Sequence, residues 1–411
     1  MAFEIVVLGA GMVGVSAALH LAERGHAVTL LDRAAPGRET SYGNAGIIQR
    51  EAVEPYAFPR DWRVLVDVAF KRGADVNYHL AALPAVAPRL AAYWRASSPA
   101  RYARIAAEFS RLIAHSLSEH ASLIEAAGAW DLVAKRGFRE VFRSAAALDE
   151  AVQHARRVER EYGVRHAVLD GAALAQAEPA LRLRLEGALH WLDPWCVNDP
   201  GELVVRYARL LERRGGRILR SDVQGLEARA GGWRVRTGDA PIDAQHVVVA
   251  LGPWAGRFIE PLGYRLPLFV KRGYHRHYTG GPALSMPMLD AQKGFVLVPA
   301  ARGMRLTTGA EFAAPDAPPT PVQLDKAERI ARELLDLPTP VESQPWMGCR
   351  PCTVDMKPVI GPAPRHAGLW FDFGHAHQGF TLGPVSGRLI ADLIEGRAPF
   401  VDPAPFAATR F

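Results

Sequence analysis

Phe3-Glu4-Ile5-Val6-Val7-Leu8-Gly9-Ala10-Gly11-Met12-Val13-Gly14 is the stretch that sets the fold class. The apolar run reads as a strand, the glycines fall at G-x-G-x-x-G spacing, and residues Val13–Arg24 place Ala17, Ala18, Leu21 and Ala22 on one helical face. Gly25 stops that helix, Ala27–Leu31 reads as a second strand, and Asp32 closes it. Strand, glycine turn, helix, strand and terminal acid form the arrangement a dinucleotide pyrophosphate requires. Gly9 permits the tight turn, Gly11 leaves room for phosphates to approach the backbone, and Gly14 lets helix and strand pack closely. The helix N-terminus offers unsatisfied N–H groups and its positive dipole end to the anion. The Asp32 carboxylate can accept hydrogen bonds from an adenosine ribose, and Arg33 beside it is a further candidate for cofactor contact.

Working outward, 411 residues exceed what one core usually serves, so two domains are expected, and 49% hydrophobic with 22% charged residues is ordinary for a globular protein. The net charge of +6 is carried almost wholly by scattered Arg, with Lys only at 71, 135, 271, 293, 326 and 357. With no basic block, no nucleic-acid role is expected, although a positive surface suits acidic lipids or anionic substrates. Cysteine occurs only at 196, 349 and 352, which argues against a disulfide framework. The apolar run begins without a basic preamble and no stretch is long enough to span a bilayer, so a cytoplasmic location is expected, with peripheral membrane contact left open.

Residues 61–128 carry helical periodicity and few strand signals, most clearly Arg101–Ala127 with Ile105, Phe109, Leu112, Ile113 and Leu117. Leu132–Arg143 reads as a strand pair turning at Gly137, and Ala145–Tyr162 as a helix. A helix over Glu202–Arg214 precedes short glycine-broken strands and the apolar strand His246–Leu251. Several short strands fill 262–312, a Pro-rich linker spans Pro315–Pro321, and Val322–Leu335 reads as a helix. The expected fold is α/β: a Rossmann-type FAD-binding domain from residues 1–60, 195–260 and 346–411, and an α+β substrate or cap domain with a mixed or antiparallel sheet from 61–194 and 261–345. Without a second G-x-G, nothing resembles paired FAD and NAD sites, and the helical insertion is unlike a compact NAD domain.

Segments spread over nearly the whole chain resemble the D-amino acid dehydrogenase and glycine oxidase (DAO) family of FAD enzymes. Thr40-Ser41-Tyr42-Gly43-Asn44-Ala45-Gly46 resembles the family's T-S-x-x-N-A-G segment beside the flavin; Asn198-Asp199-Pro200 and Val247–Ala255, which includes Gly252, resemble two more of its segments. Arg272-Gly273-Tyr274-His275 is similar to an R-G-Y-H of the dehydrogenase branch. The most specific are Gly348–Gly361, resembling G-x-R-P-x-x-x-D-x-x-P-V-I-G, and Gly374–Leu382, resembling G-H-x-H-x-G-x-T-L. Physically, Gly374, Gly379 and Gly383 make an open loop before a helix read as Val385–Ile394. Its N–H groups, with Phe380 and Thr381, suit the flavin edge that gathers negative charge on reduction.

The resemblance implies oxidation of an amino acid, either a D-amino acid or an N-substituted one, by hydride transfer from Cα to flavin N5, with hydrolysis of the imine to a 2-oxo acid. A quinone or other electron acceptor is the implied partner. Arg350 is the expected clamp for the substrate carboxylate, because a guanidinium offers two parallel donors; a structural pairing with Asp355 is the alternative. Tyr274 is a candidate second donor, and His375 and His377 are candidates to tune protonation or orient substrate. No metal site is expected, since these histidines lack an acid cluster. Cys349 and Cys352 have C-x-x-C spacing, but Pro358 and Pro362 disfavour the helix such redox pairs open. Relatives that attach flavin to a Cys align it with Gly348, so noncovalent FAD is expected. Two alternatives stand beside this reading: a noncatalytic or partner-dependent FAD subunit of an opine or sarcosine oxidase complex, and a flavin hydroxylase fed by NADPH.

Overall fold

The computed structural model describes residues 2–314 and 316–411; Pro315, where the expected linker begins, lies outside the described residues. In chain order the elements that build the site are β1 (Glu4–Leu8), α1 (Met12–Glu23), β2 (Ala27–Asp32), α2 (Trp62–Ala69), α3 (Leu83–Ala96) and β3 (Phe138–Phe142). They continue with α4 (Pro200–Arg213), β4 (Arg217–Arg220), β5 (His246–Val249), β6 (Leu268–Thr279), β7 (Trp346–Thr353), β8 (Val359–Pro362), β9 (Leu369–Phe373) and α5 (Gly379–Ile394).

A six-stranded sheet in the order β4-β2-β1-β5-β9-β8 is parallel throughout except for β8, which runs antiparallel to β9. The last four residues of β1 are buried, which is why this strand reads as a continuous apolar run instead of an alternating one. Helix α1 lies on α4 and α5. Its contact with α5 is backbone-close: a Cβ on Gly383 would stand 2.7 Å from Met12 Cγ, and one on Gly387 would stand 2.7 Å from the Ala17 nitrogen. Both glycines are therefore part of the helix packing. Gly383 lies inside α5, which begins at Gly379 and carries Pro384 within it, so the helix starts six residues earlier than the Val385 expected from the sequence.

Pro384 lacks the N–H that would bond to the Phe380 carbonyl. His120 Nε2 takes that acceptor at 2.9 Å, while its Nδ1 lies 3.2 Å from the Tyr207 hydroxyl. This substitution of one donor for another explains how the proline sits inside the helix.

The second sheet is eleven-stranded and mixed. Most pairs are antiparallel, but β3 runs parallel to Met288–Asp290, and Ala310–Phe312 runs parallel to Val76–Tyr78. Val76–Tyr78 is a strand inside the region expected to be helical, and the expected helix over Arg101–Ala127 is two helices, Pro99–Ile113 and Ser116–Ala127. The strands either side of Gly137 do not pair with each other. Val133–Ala134 joins a small sheet with Trp195–Val197, whereas β3 joins the large one. Strand β6 is the spine of the large sheet, and β7, grouped by sequence with the FAD-binding segments, pairs with it from Leu268 to His275. That pairing places β7 between the two sheets.

Candidate active site

Between the sheets lies a cavity of about 1540 Å³. Small-molecule sites usually measure about 300–1,000 Å³, so there is room for a large cofactor and a substrate together. At one end Gly9 takes φ +107°, and a Cβ there would press on the Ala250 carbonyl; Gly14 has no room for one against the Gly9 carbonyl. Gly11 caps α1 with no side-chain cap, and no acidic residue occupies the helix's first turn. An uncapped helix N-terminus beside tight glycines is a geometry that suits an anion. Ser41 Oγ accepts the Met12 N–H at 2.9 Å. Asp32 accepts from the Ala10 N–H at 2.7 Å and the Ala34 N–H at 2.8 Å, fixing its carboxylate at the cavity edge with lone pairs to spare.

Arg33 lines the same end, but its guanidinium is engaged by Glu39 at 3.0 Å and lies 4.3 Å from the Trp254 ring centroid. Asn44, Ala45, Gly252, Gly374, Gly379 and Phe380 also line the cavity. Gly14, Gly46 and Thr381 stand behind its wall: Gly46 (φ +70°) packs on Val197, and Thr381 Oγ1 accepts from the Gln49 N–H at 3.2 Å. The donor set and the glycine cradle fit a dinucleotide cofactor.

At the other end, strand alternation sorts β6 and β7 into two faces. Arg350 lies opposite Lys271 in register and lines the cavity. Its Nη1 donates to the Gly309 carbonyl at 2.8 Å and its Nη2 to the Thr308 carbonyl at 3.2 Å, with no carboxylate paired to it among the described residues. Asp355, the alternative partner, instead takes Arg410 at 2.9 Å. Room for the guanidinium comes from Gly273, where a Cβ would stand 2.5 Å from Nη1. Tyr274 also borders the cavity, but alternation turns its side chain to the other face. Its hydroxyl donates to Glu311 at 2.6 Å and accepts from Arg272 at 2.8 Å and the Thr320 N–H at 2.9 Å, so it has no hydrogen bond left for a substrate carboxylate. This corrects the expectation for Tyr274. Its cause is the period of two that separates it from Arg350's partner Lys271 by an odd number of residues.

His375 and His377 both reach the cavity, on either side of Ala376, whose φ of +51° is unusual for a residue with a Cβ. His375 is 2% exposed, its Nε2 lies 3.5 Å from Asp372, and burial pushes its pKa down to about 3. Burial, with Lys271 and Arg350 nearby, holds His377 well below its ordinary range. Its ring is centred 4.7 Å from that of Tyr56. Both imidazoles are therefore neutral near pH 7.

Cavity-lining residues not singled out from the sequence include Lys271, Tyr56, Glu51 and Glu140. Burial pushes Glu51 up to about 8 and raises Glu140, whose carboxylate accepts from the Trp191 indole at 3.1 Å. For Lys271 a signal existed, since alternation along Lys271-Arg272-Gly273-Tyr274 puts it on the face of Gly273. Cys349 and Cys352 are free and three residues apart on a strand, hence on opposite faces, and no redox pair forms. No group of histidines, cysteines and acids among the described residues could hold a metal.

Residues 4–393 match the family model described as FAD dependent oxidoreductase, DAO. The chain is 31% identical to a D-amino acid dehydrogenase of Chromohalobacter salexigens and 30% identical to a D-amino-acid oxidase of Bradyrhizobium diazoefficiens, in both cases over 99% of each chain. Among solved structures, glycine oxidase from Geobacillus kaustophilus superposes with a TM-score of 0.75 at 22% identity, covering 100% of this chain and 99% of that one.

Proposed function

The chain belongs to the DAO family of FAD-dependent oxidoreductases, an amino acid oxidoreductase by that membership, and we propose that it oxidises the Cα–N bond of a D-amino acid or an N-substituted amino acid to an imine that water hydrolyses to a 2-oxo acid. FAD, when bound, supplies the acceptor for the hydride leaving Cα. The observation that carries the reading is Arg350, a cavity-lining guanidinium whose acceptors are two backbone carbonyls and which meets no carboxylate. Burial lowers its pKa, a cost that an incoming α-carboxylate offsets.

The remaining chain groups position the reactants. His377, held neutral, can accept a hydrogen bond from the substrate amine, which must have lost its ammonium proton to solvent before a hydride leaves Cα. Asp372, pushed far up by burial, lies 3.5 Å from His375 Nε2 at the cavity wall. Gly9, Gly11, Gly14, Asp32 and Ser41 would hold the diphosphate and ribose, and the N-terminus of α5 would face the reducible ring.

Noncovalent attachment is part of the proposal. A side chain at Gly348 would collide with the Trp346 indole, and Cys349 does not line the cavity. Acid precipitation should release the yellow colour to the supernatant; colour retained by the pellet would count against it. The functional test is anaerobic mixing of the FAD-loaded protein with a panel of D-amino acids, proline derivatives and N-substituted glycines, with bleaching of the flavin band as readout. Bleaching by an amine, abolished in Arg350→Ala, is the expected result.

A further inference from the structure

We propose that Lys271 forms a second anion seat in the substrate cavity, so that the preferred substrates are amino acids bearing a second carboxylate. The assignment rests on the reading of Arg350 as the α-carboxylate clamp.

Lys271 is 6% exposed and lines the cavity, yet its ammonium meets no hydrogen-bond acceptor and no carboxylate among the described residues. It lies over aromatic faces instead, 4.7 Å from the Tyr93 centroid and 5.8 Å from that of Phe269. Three other buried cations are paired with carboxylates, Lys357 with Glu108, Arg139 with Glu178 and Arg272 with Glu311, and buried Arg305 donates to the His277 ring and two backbone carbonyls. A buried ammonium facing a cavity without a counterion is costly unless a ligand brings the anion. The neighbouring titratable groups do not supply one. Arg350 is a cation, burial pushes the Cys352 thiol up so that it keeps its proton, and His377 is neutral.

The two cationic heads rest on different neighbours: Arg350 folds over Gly273, whereas Lys271 leans over Tyr93 and Phe269. A substrate with two carboxylates can bring one to each. Among the acids of the cavity wall, Glu51 is pushed up to about 8 by burial, so near neutral pH it can donate a hydrogen bond to such a substrate instead of repelling it, and burial raises Glu140 in the same direction. Burial also lowers the pKa of Lys271, and an arriving carboxylate restores the charged form.

The test uses the FAD-loaded protein and reads binding before turnover. Glutarate and pentanoate, equal in carbon number but different by one charge, are titrated while the flavin absorption is followed. Wild type should bind glutarate at least about tenfold tighter, the value of one charge-assisted contact. Lys271→Met should erase the difference while leaving pentanoate unchanged, and Lys271→Arg should keep it. With substrates, Lys271→Met should raise KM for glutamate far more than KM for glutamine. Equal binding of the two acids by wild type, equal weakening of both by Lys271→Met, tighter binding of a diamino acid, or a defect confined to reoxidation of the reduced flavin would each overturn the assignment. The two readings fail separately. Lys271-dependent preference for glutarate with no reduction by any amino acid defeats the proposed reaction alone, whereas reduction by amino acids with no acidic preference defeats the seat alone.

Discussion

Gly273 and Arg350 act as a unit, because the absent Cβ of one is the room occupied by the other. Arg350→Lys keeps the charge but loses the two-point geometry, which should cost about 3 kcal/mol, a roughly 100-fold rise in KM, with FAD content unchanged. Steady-state kinetics on protein of verified flavin content measures it, and an unchanged KM would remove Arg350 from substrate binding. Gly273→Ala should give a similar defect by displacing the guanidinium, although the substituted residue touches no substrate; a variant with normal kinetics would show that the guanidinium has another resting place. At this scale the sequence was readable where a residue type is dictated by chemistry, as with the glycines of the turn and Arg350. Tyr274 was misassigned because the motif was read as a string, and the strand's alternation turns its hydroxyl toward Glu311 and Arg272. Lys271 could have been found by applying the same alternation. Glu51 and Glu140 could not, since their meeting depends on distant strands.

The helices α1 and α5 bring their N-termini to one cavity by packing on glycines, and α5 stays intact at Pro384 through His120. His120→Phe should leave the Phe380 carbonyl without its donor, costing about 2 kcal/mol in a urea unfolding experiment. No loss would mean that the proline needs no such replacement. Gly387→Leu should force the helices apart and lower FAD affinity along with stability, since an overpacked contact costs about 1–3 kcal/mol; a stable variant that retains FAD would contradict the packing argument. Helix Ala145–Tyr162 was legible to the residue, and α1 and Val322–Leu334 to within a residue, because amphipathic spacing and glycine stops are local signals. The start of α5 was not: a proline six residues into a helix looks like its beginning until the donor from a distant helix is seen.

For the whole molecule, buried ionisable groups set the pH range of stability. Burial lowers His20 to about 3, His120 to about 4, His275 to about 2 and His375 to about 3, from 6.5 when unfolded. The unfolded chain takes up protons first as pH falls below 6.5, so the stability these groups contribute is present above that value and is lost toward pH 4. The slope is about 1.4 kcal/mol per pH unit for each. Glu51, raised to about 8 from 4.5, acts in the opposite sense, with stability present below 4.5 and lost as pH rises through 8. Urea midpoints at pH 5, 7 and 9 should therefore peak near neutrality and fall more steeply on the acid side; a flat profile would contradict the burial of these histidines.

The parallel sheet and the mixed sheet were both legible from their composition and turn spacing. What the sequence hid was their junction, because β7 sits in the chain beside the cofactor segments but pairs with β6 of the other sheet. That junction carries the central claim, since it hangs Arg350 over the cavity that the glycine turn opens. Anaerobic reduction of the FAD-loaded protein tests it most directly. The account predicts that an amino acid bleaches the flavin and yields its 2-oxo acid, that Arg350→Ala loses this response while keeping its FAD, and that NADPH has no effect. Bleaching by NADPH with none by any amino acid would contradict it.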